Sequence, residues 1–135
     1  HNSFPDLVSV QVGYNAGLAH RIEAGSDYFL MPSRFEPCGL NQMYSLRYGS
    51  IPIAHAVGGL VDTVRDKPSK LGLANGIKFN EFTKEEFRAA ISSAIDIYQD
   101  QKRLQNMIRA GMRDDYSWHK SAQIYEKIAR NIHRH

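Results

Sequence analysis

Residues 28–60 read YFLMPSRFEPCGLNQMYSLRYGSIPIAHAVGGL, and the order of their apolar runs and turn residues decides the fold. The first four, YFLM, form a short apolar run stopped by Pro32, the pattern of a strand buried on both faces rather than an exposed edge. Residues 39–48 fit a helix with Leu40, Met43, Tyr44 and Arg47 on one side and Gly49 closing it. Residues 51–56 give the next strand, with Pro52 near its start, where a lost amide is tolerated. Gly58 and Gly59 end it. Strand, helix and strand in so short a span require parallel pairing through a crossover. The expected class is therefore α/β: a Rossmann-like, three-layer parallel sheet with helices on both faces.

Outward from this unit, residues 2–6 suit a lead-in loop, and residues 7–12, LVSVQV, alternate apolar and polar and read as a first strand. Gly13, Tyr14 and Asn15 form the turn after it. Residues 16–24 then fit a short helix with Asn15 as N-cap and Gly25 as the C′ residue. On the other side, residues 60–64 begin a helix, residues 66–76 form a surface loop rich in turn residues, and residues 76–79 give a last short strand. Thr83 with Glu86 is a capping box for a helix carrying Phe87, Ala90, Ile91, Ala94 and Ile95. Residues 102–112 suggest another helix. Tyr116, Ser117 and Trp118 lead into a final one, with Ala122, Tyr125, Ile128, Ala129 and Ile132 on a stripe. Residues 1–135 are expected to form one domain, with 119–135 as a closing helix.

The totals exclude several classes. The 17 basic and 14 acidic residues are dispersed, which favours solvated faces over a nucleic-acid surface. Cys38 is the single cysteine, so no internal disulfide forms, in keeping with a reducing compartment. No apolar run reaches the ~18 residues of a membrane span. His20, His55 and His119 are isolated, and His133 and His135 stand near the end; none shows metal-ligand spacing, so no metal and no cofactor are expected. GxGxxG and GxxxxGK[ST] are absent. The chain starts at His1 rather than at methionine, and the expectation is a fragment of a longer protein.

In a parallel sheet the turns after strands gather at one edge, so Tyr14, residues 33–39 and residues 57–60 should converge. Residues 36–41 lead straight into a helix, whose unpaired first amides and positive dipole end suit a phosphate. Gly39 allows a close approach to the backbone, as do Gly58 and Gly59; the alternative is that these glycines only shape tight turns. Glu36 either complements the positive helix end or accepts hydrogen bonds from sugar hydroxyls. Cys38 lacks a partner base and reads as a small packing residue rather than a nucleophile. Tyr14 either belongs to a core or stacks on a base.

Across residues 32–64, PSRFEPCGLNQMYSLRYGSIPIAHAVGGLVDTV, the sequence resembles the glycogen and starch synthases, family 5 glycosyltransferases that transfer glucose from ADP-glucose to an α-1,4-glucan. The phrases SRFEPCGL and GGLVDTV carry the resemblance, with DYSW at residues 115–118 resembling the segment before the family's closing helix; it runs from Val12 to Trp118. It implies a GT-B fold, two Rossmann-like domains with the active site between them, of which this chain would be part of the C-terminal, donor-binding domain. By motif, Glu36 would bind the transferred glucose and Cys38 would line the donor pocket. Gly39 and Leu40 with Asn41 would hold the diphosphate, and Tyr14 would stack on adenine. Gly58, Gly59 and Leu60 match a glycine loop beside the site.

Tyr44 stands where related retaining transferases carry a second glutamate, Asn41 where bacterial enzymes often have threonine, and Ala56-Val57 where a threonine usually precedes the glycines. The family's diphosphate-binding Arg and Lys lie upstream of the matching region. The implied partners are therefore ADP-glucose, the glucan acceptor and an N-terminal GT-B domain, with no nucleic acid and no membrane. This chain alone is expected to be inactive. A UDP-sugar donor and a non-catalytic nucleotide-sugar-binding module are the alternatives. The implied location is the bacterial cytoplasm, or the plastid in a plant.

Overall fold

A computed structural model of the chain describes residues 4–70 and 72–132. Three parallel strands, β1 (Tyr28–Met31), β2 (Ile51–His55) and β3 (Ile77–Phe79), lie in sequence order. β1 pairs with β2 from Tyr28↔Ile51 to Met31↔Ala54, and β2 with β3 from Ile53↔Ile77 to His55↔Phe79. α1 (Ala16–Gly25) precedes the sheet, α2 (Asn41–Tyr48) crosses from β1 to β2, and α3 (Gly59–Thr63) lies in the second crossover. α4 (Lys84–Gln99), α5 (Gln101–Arg113) and α6 (Trp118–Ile132) follow.

Alternation along β2 builds two cores. Ile51 and Ile53 join Ile77, Phe79 and the α4–α5 residues Ala90, Ala94, Ile97, Leu104 and Met107 on one face. Ala54 joins Met31, Leu60 and Val64 on the other. Each face removes several aliphatic side chains from water, at about 1.5–3 kcal/mol per large residue, and this two-sided burial holds the sheet. Pro52 sits in the central strand without a lost ladder bond. The Ile51 amide bonds Asp27 O on the β1 side, so residue 52 faces the β3 side, where pairing starts only at Ile53↔Ile77.

Local signals set the helix ends. Asn15 Oδ1 accepts from the Leu18 amide at 2.9 Å, Thr83 Oγ1 from Glu86 at 3.2 Å, and Asp100 Oδ1 from Arg103 at 3.0 Å. Gly49 closes α2 at φ 89°.

Four expectations change. Residues 8–12 form no strand: Val8, Val10 and Val12 are exposed, because alternation supplies a face but the described chain supplies no neighbouring strand for it. For the same reason β1 is a sheet edge and Leu30 is exposed, not buried on both faces. Gly25 lies inside α1, which is capped by Ser26 in extended conformation. Finally, α2 turns inward not Leu40, Met43, Tyr44 and Arg47 but Gln42, Ser45 and Leu46. Residues 2 and 3 of the lead-in loop, Leu71 of the surface loop, and residues 133–135 of the closing helix lie outside the described residues. No described helix is long and apolar enough to cross a membrane.

Candidate functional site

At the carboxyl edge of the sheet the loops after β1 and β2 are locked together through backbone. The Gly59 amide donates to Glu36 O (3.2 Å) and Pro37 O (3.1 Å). A Cβ on Gly58 would overlap the Glu36 carbonyl oxygen, and one on Gly59 the Cys38 carbonyl oxygen. Gly58 also has φ +51°. These glycines therefore let one loop touch the other. Leu60 anchors the same loop from below: it is 0% exposed in the Met31–Ala54–Val64 core, and its amide bonds Val57 O. Its side chain is accordingly closed to any ligand.

The start of α2 is uncapped. Leu40 occupies the N-cap position in αR conformation (φ −117°, ψ −33°), with no side-chain cap, directly after Gly39 at φ +69°. A left-handed residue followed by a right-handed one turns successive amides to one side and forms an anion-binding concavity, a nest. Among the described residues, the amides of Gly39, Leu40, Asn41 and Gln42 have no acceptor. The positive end of α2 adds to the same potential. Asn41 and Cys38 are exposed beside it.

Glu36 is half-buried and accepts from Ser33 Oγ at 3.3 Å. The Ser33 carbonyl is in turn held by His55, whose Nδ1 lies 2.7 Å from Ser33 O while Nε2 lies 3.1 Å from Asn80 O. His55 stacks on Phe79 with ring centroids 5.3 Å apart, so the ring is fixed in its plane. It thus ties the Glu36 loop to the loop after β3. Tyr14, by contrast, is 96% exposed just before α1, with no ring partner among the described residues; it is not brought to the nest by any contact.

Next to the nest runs a groove of about 630 Å³ lined by Leu40, Tyr44, Arg47, Tyr116 and Trp118. The residues expected on the inner side of α2 thus line this groove. Its far wall is fastened by one knot. Arg65 Nη2 donates to both Asp114 oxygens at 2.9 and 2.8 Å, and buried Asn75 donates to Asp114 Oδ2 (2.7 Å) and Thr63 O (3.0 Å). Tyr116 donates to Thr63 O at 3.0 Å. Burial, and then the Asp114 charge, push the Tyr116 hydroxyl up to about 12, so it remains a donor at neutral pH. Among the described residues no group of His, Cys, Asp and Glu could hold a metal ion.

Gln42, His55 and Asp114 escape a reading of the sequence, and Ser33 enters it only as the start of a converging loop. The available signal is weak: Gln42, Ser45, Leu46 and Gly49 also stand at i, i+3, i+4 and i+7, but two of the four are polar.

No family model matches the chain. The glycogen synthase of Anaeromyxobacter sp. (strain K) is 49% identical over 128 residues, covering 95% of this chain and 27% of that protein. That of Marinobacter nauticus is 52% identical over 130 residues, covering 96% and 27%. Among solved structures, the catalytic domain of starch synthase IV from Arabidopsis thaliana, bound to ADP and acarbose, matches with a TM-score of 0.83 and 36% identity over 96% of this chain and 28% of that one. The chain spans about a quarter of the length of these relatives. With this similarity along nearly its whole length and the same parallel α/β fold, the chain belongs to the glycogen and starch synthase family and corresponds to part of its C-terminal, Rossmann-like GT-B domain.

Proposed function

We propose that this chain is the donor-binding part of a retaining glucosyltransferase that transfers glucose from ADP-glucose to the non-reducing end of an α-1,4-glucan. The carrying observation is the nest at residues 39–41, with unpaired amides at an uncapped helix start beside a carboxylate. A departing diphosphate accumulates negative charge as the glycosidic bond breaks, and preoriented amides at a positive helix end stabilise it without reorganisation. Glu36, held by Ser33, accepts hydrogen bonds from the glucose hydroxyls. The adjoining groove beside Tyr44 offers room for the nucleoside. Cys38, Gly58 and Gly59 line the pocket by backbone and small side chains, and Tyr14 takes the adenine. Tyr14 is 96% exposed, so its ring is open to a base.

The acceptor attacks on the face from which the diphosphate leaves, so no enzyme nucleophile is needed. In this reading residues 1–135 act as one domain with a closing helix from residue 119, inactive alone because an N-terminal domain and an upstream Arg/Lys pair complete the leaving-group site. Cytoplasm, or plastid, is the corresponding location.

The test is glucan synthesis by the full-length protein with ADP-glucose and UDP-glucose in parallel, against this chain alone and the full-length Tyr14→Ala variant. Incorporation from ADP-glucose by the full-length protein only, weakened by Tyr14→Ala, is expected. Preference for UDP-glucose, or incorporation by this chain alone, contradicts it.

A further inference from the structure

We propose that Gln42 is a positioning residue for the nest: its buried carboxamide turns two peptide units inward and so presents their amides outward to a diphosphate. Gln42 is 0% exposed. Its Nε2 lies 3.1 Å from each of Cys38 O, Gly39 O and Thr63 Oγ1, three acceptors that share its two hydrogens. A trans peptide is planar, with C=O and N–H antiparallel. When the Cys38 carbonyl points at Gln42, the Gly39 N–H points away from it; the Gly39 carbonyl fixes the Leu40 N–H in the same way. The two amides of the concavity are therefore aimed by a side chain that no ligand touches. This inference rests on the diphosphate reading of the nest.

The third contact joins the loops. Thr63 Oγ1 donates to Gly59 O at 2.8 Å, so its lone pair is left for Gln42, and a single chain of hydrogen bonds runs from Gly39 through Gln42 and Thr63 to the glycine loop. Three acceptors around Nε2 set the amide orientation and leave Gln42 Oε1 without a partner, a cost the packed site carries. A Cβ on Gly39 would overlap that same Oε1, so residue 39 must be glycine for Gln42 to stay in place as well as for its own φ. The nearest replacements do not do this. Methionine fills the space but leaves both carbonyls unpaired, an ionised glutamate offers only acceptors, and asparagine is one carbon short.

Calorimetry on the chain with ADP, adenosine and pyrophosphate as probes tests it, using Gln42→Met and the milder Thr63→Val. Gln42→Met is expected to weaken ADP and pyrophosphate about ten- to a hundredfold, the worth of one or two charge-assisted hydrogen bonds, while adenosine binds as in the wild type. Thr63→Val moves ADP the same way by about threefold, and carries the test if Gln42→Met does not fold. A general loosening of the fold would weaken adenosine and ADP together, and that result overturns the inference. So does ADP binding unchanged in either folded variant. Wild-type protein that takes up no ADP overturns the donor-binding reading itself and the inference with it.

Discussion

The paired loops 33–41 and 56–60 and the terminal helix α6 stand at opposite ends of one scale. In the loops the carbonyls are taken: the Gly59 amide donates to Glu36 O and Pro37 O, Gln42 Nε2 to Cys38 O and Gly39 O, and Thr63 Oγ1 to Gly59 O, while His55 holds Ser33 O. In α6, Trp118, Ile124, Tyr125, Ile128 and Ile132 form an apolar face, and none is buried. In the loop pair the carbonyls of residues 36–39 are taken within this chain, while the amides of residues 39–42 have no acceptor among the described residues. Among the described residues, α6 is held by its internal turns, an Arg130–Glu126 pair and a Gln123–His119 contact of 3.0 Å. Unpaired amides gathered beside carbonyls that are all taken suit a small anionic ligand, whereas the exposed apolar face of α6 suits a neighbouring surface.

The strongest way to break the contrast is to force the loops apart. Gly58→Ala places a methyl on the Glu36 carbonyl at φ +51° and is expected to destabilise the chain by about 3 kcal/mol or more in urea unfolding. A loss below about 1 kcal/mol means the loops are not held together by that contact. Asp114→Ala comes next. It removes the acceptor shared by Arg65, Asn75 and Tyr116, and strands a partly buried guanidinium; about 2–3 kcal/mol is expected in the same measurement.

Glu23 gives a smaller, pH-dependent effect. Burial between α1 and its surroundings raises its carboxyl above the ordinary value, partly offset by His20, and Oε2 has no hydrogen bond. A raised folded value means that the native state holds the proton longer than the unfolded one, so stability falls as pH rises through that window. Glu23→Gln should remove the slope and gain on the order of 1 kcal/mol at neutral pH, with no gain below the ordinary carboxylate range. A melting temperature that stays parallel to the wild type at every pH contradicts it. At the bottom of the scale, Ile124→Ser with Ile128→Ser in α6 is expected to change stability by less than about 0.5 kcal/mol. A larger loss would show that α6 has a partner inside this chain.

Much of this was legible in the sequence. Asn15, Thr83 and Gly49 announce helix ends because capping is local, and the apolar run of β2 announces a strand because it is buried on both faces; β1 is announced by a similar run although it lies at an edge. What failed was partner-dependent. Residues 7–12 have the pattern of a strand, yet pairing needs a neighbour that a pattern cannot supply. The inward face of α2 was hidden because its polar members are satisfied by backbone: Ser45 Oγ donates to Gln42 O at 3.0 Å, and Gln42 to the preceding loop. Within the candidate site Glu36, Gly39 and Asn41 could be named from their order before a helix. Gln42 and His55 act on carbonyl oxygens, which every residue carries, and so leave no trace in the pattern.

The central claim is that the amides of residues 39–41 receive a diphosphate. Amide NMR of the chain titrated with ADP tests it most directly: the largest shifts should fall on Gly39, Leu40 and Asn41, with adenosine leaving those three in place. Saturable ADP binding that leaves the three amides unmoved while others shift would contradict the account.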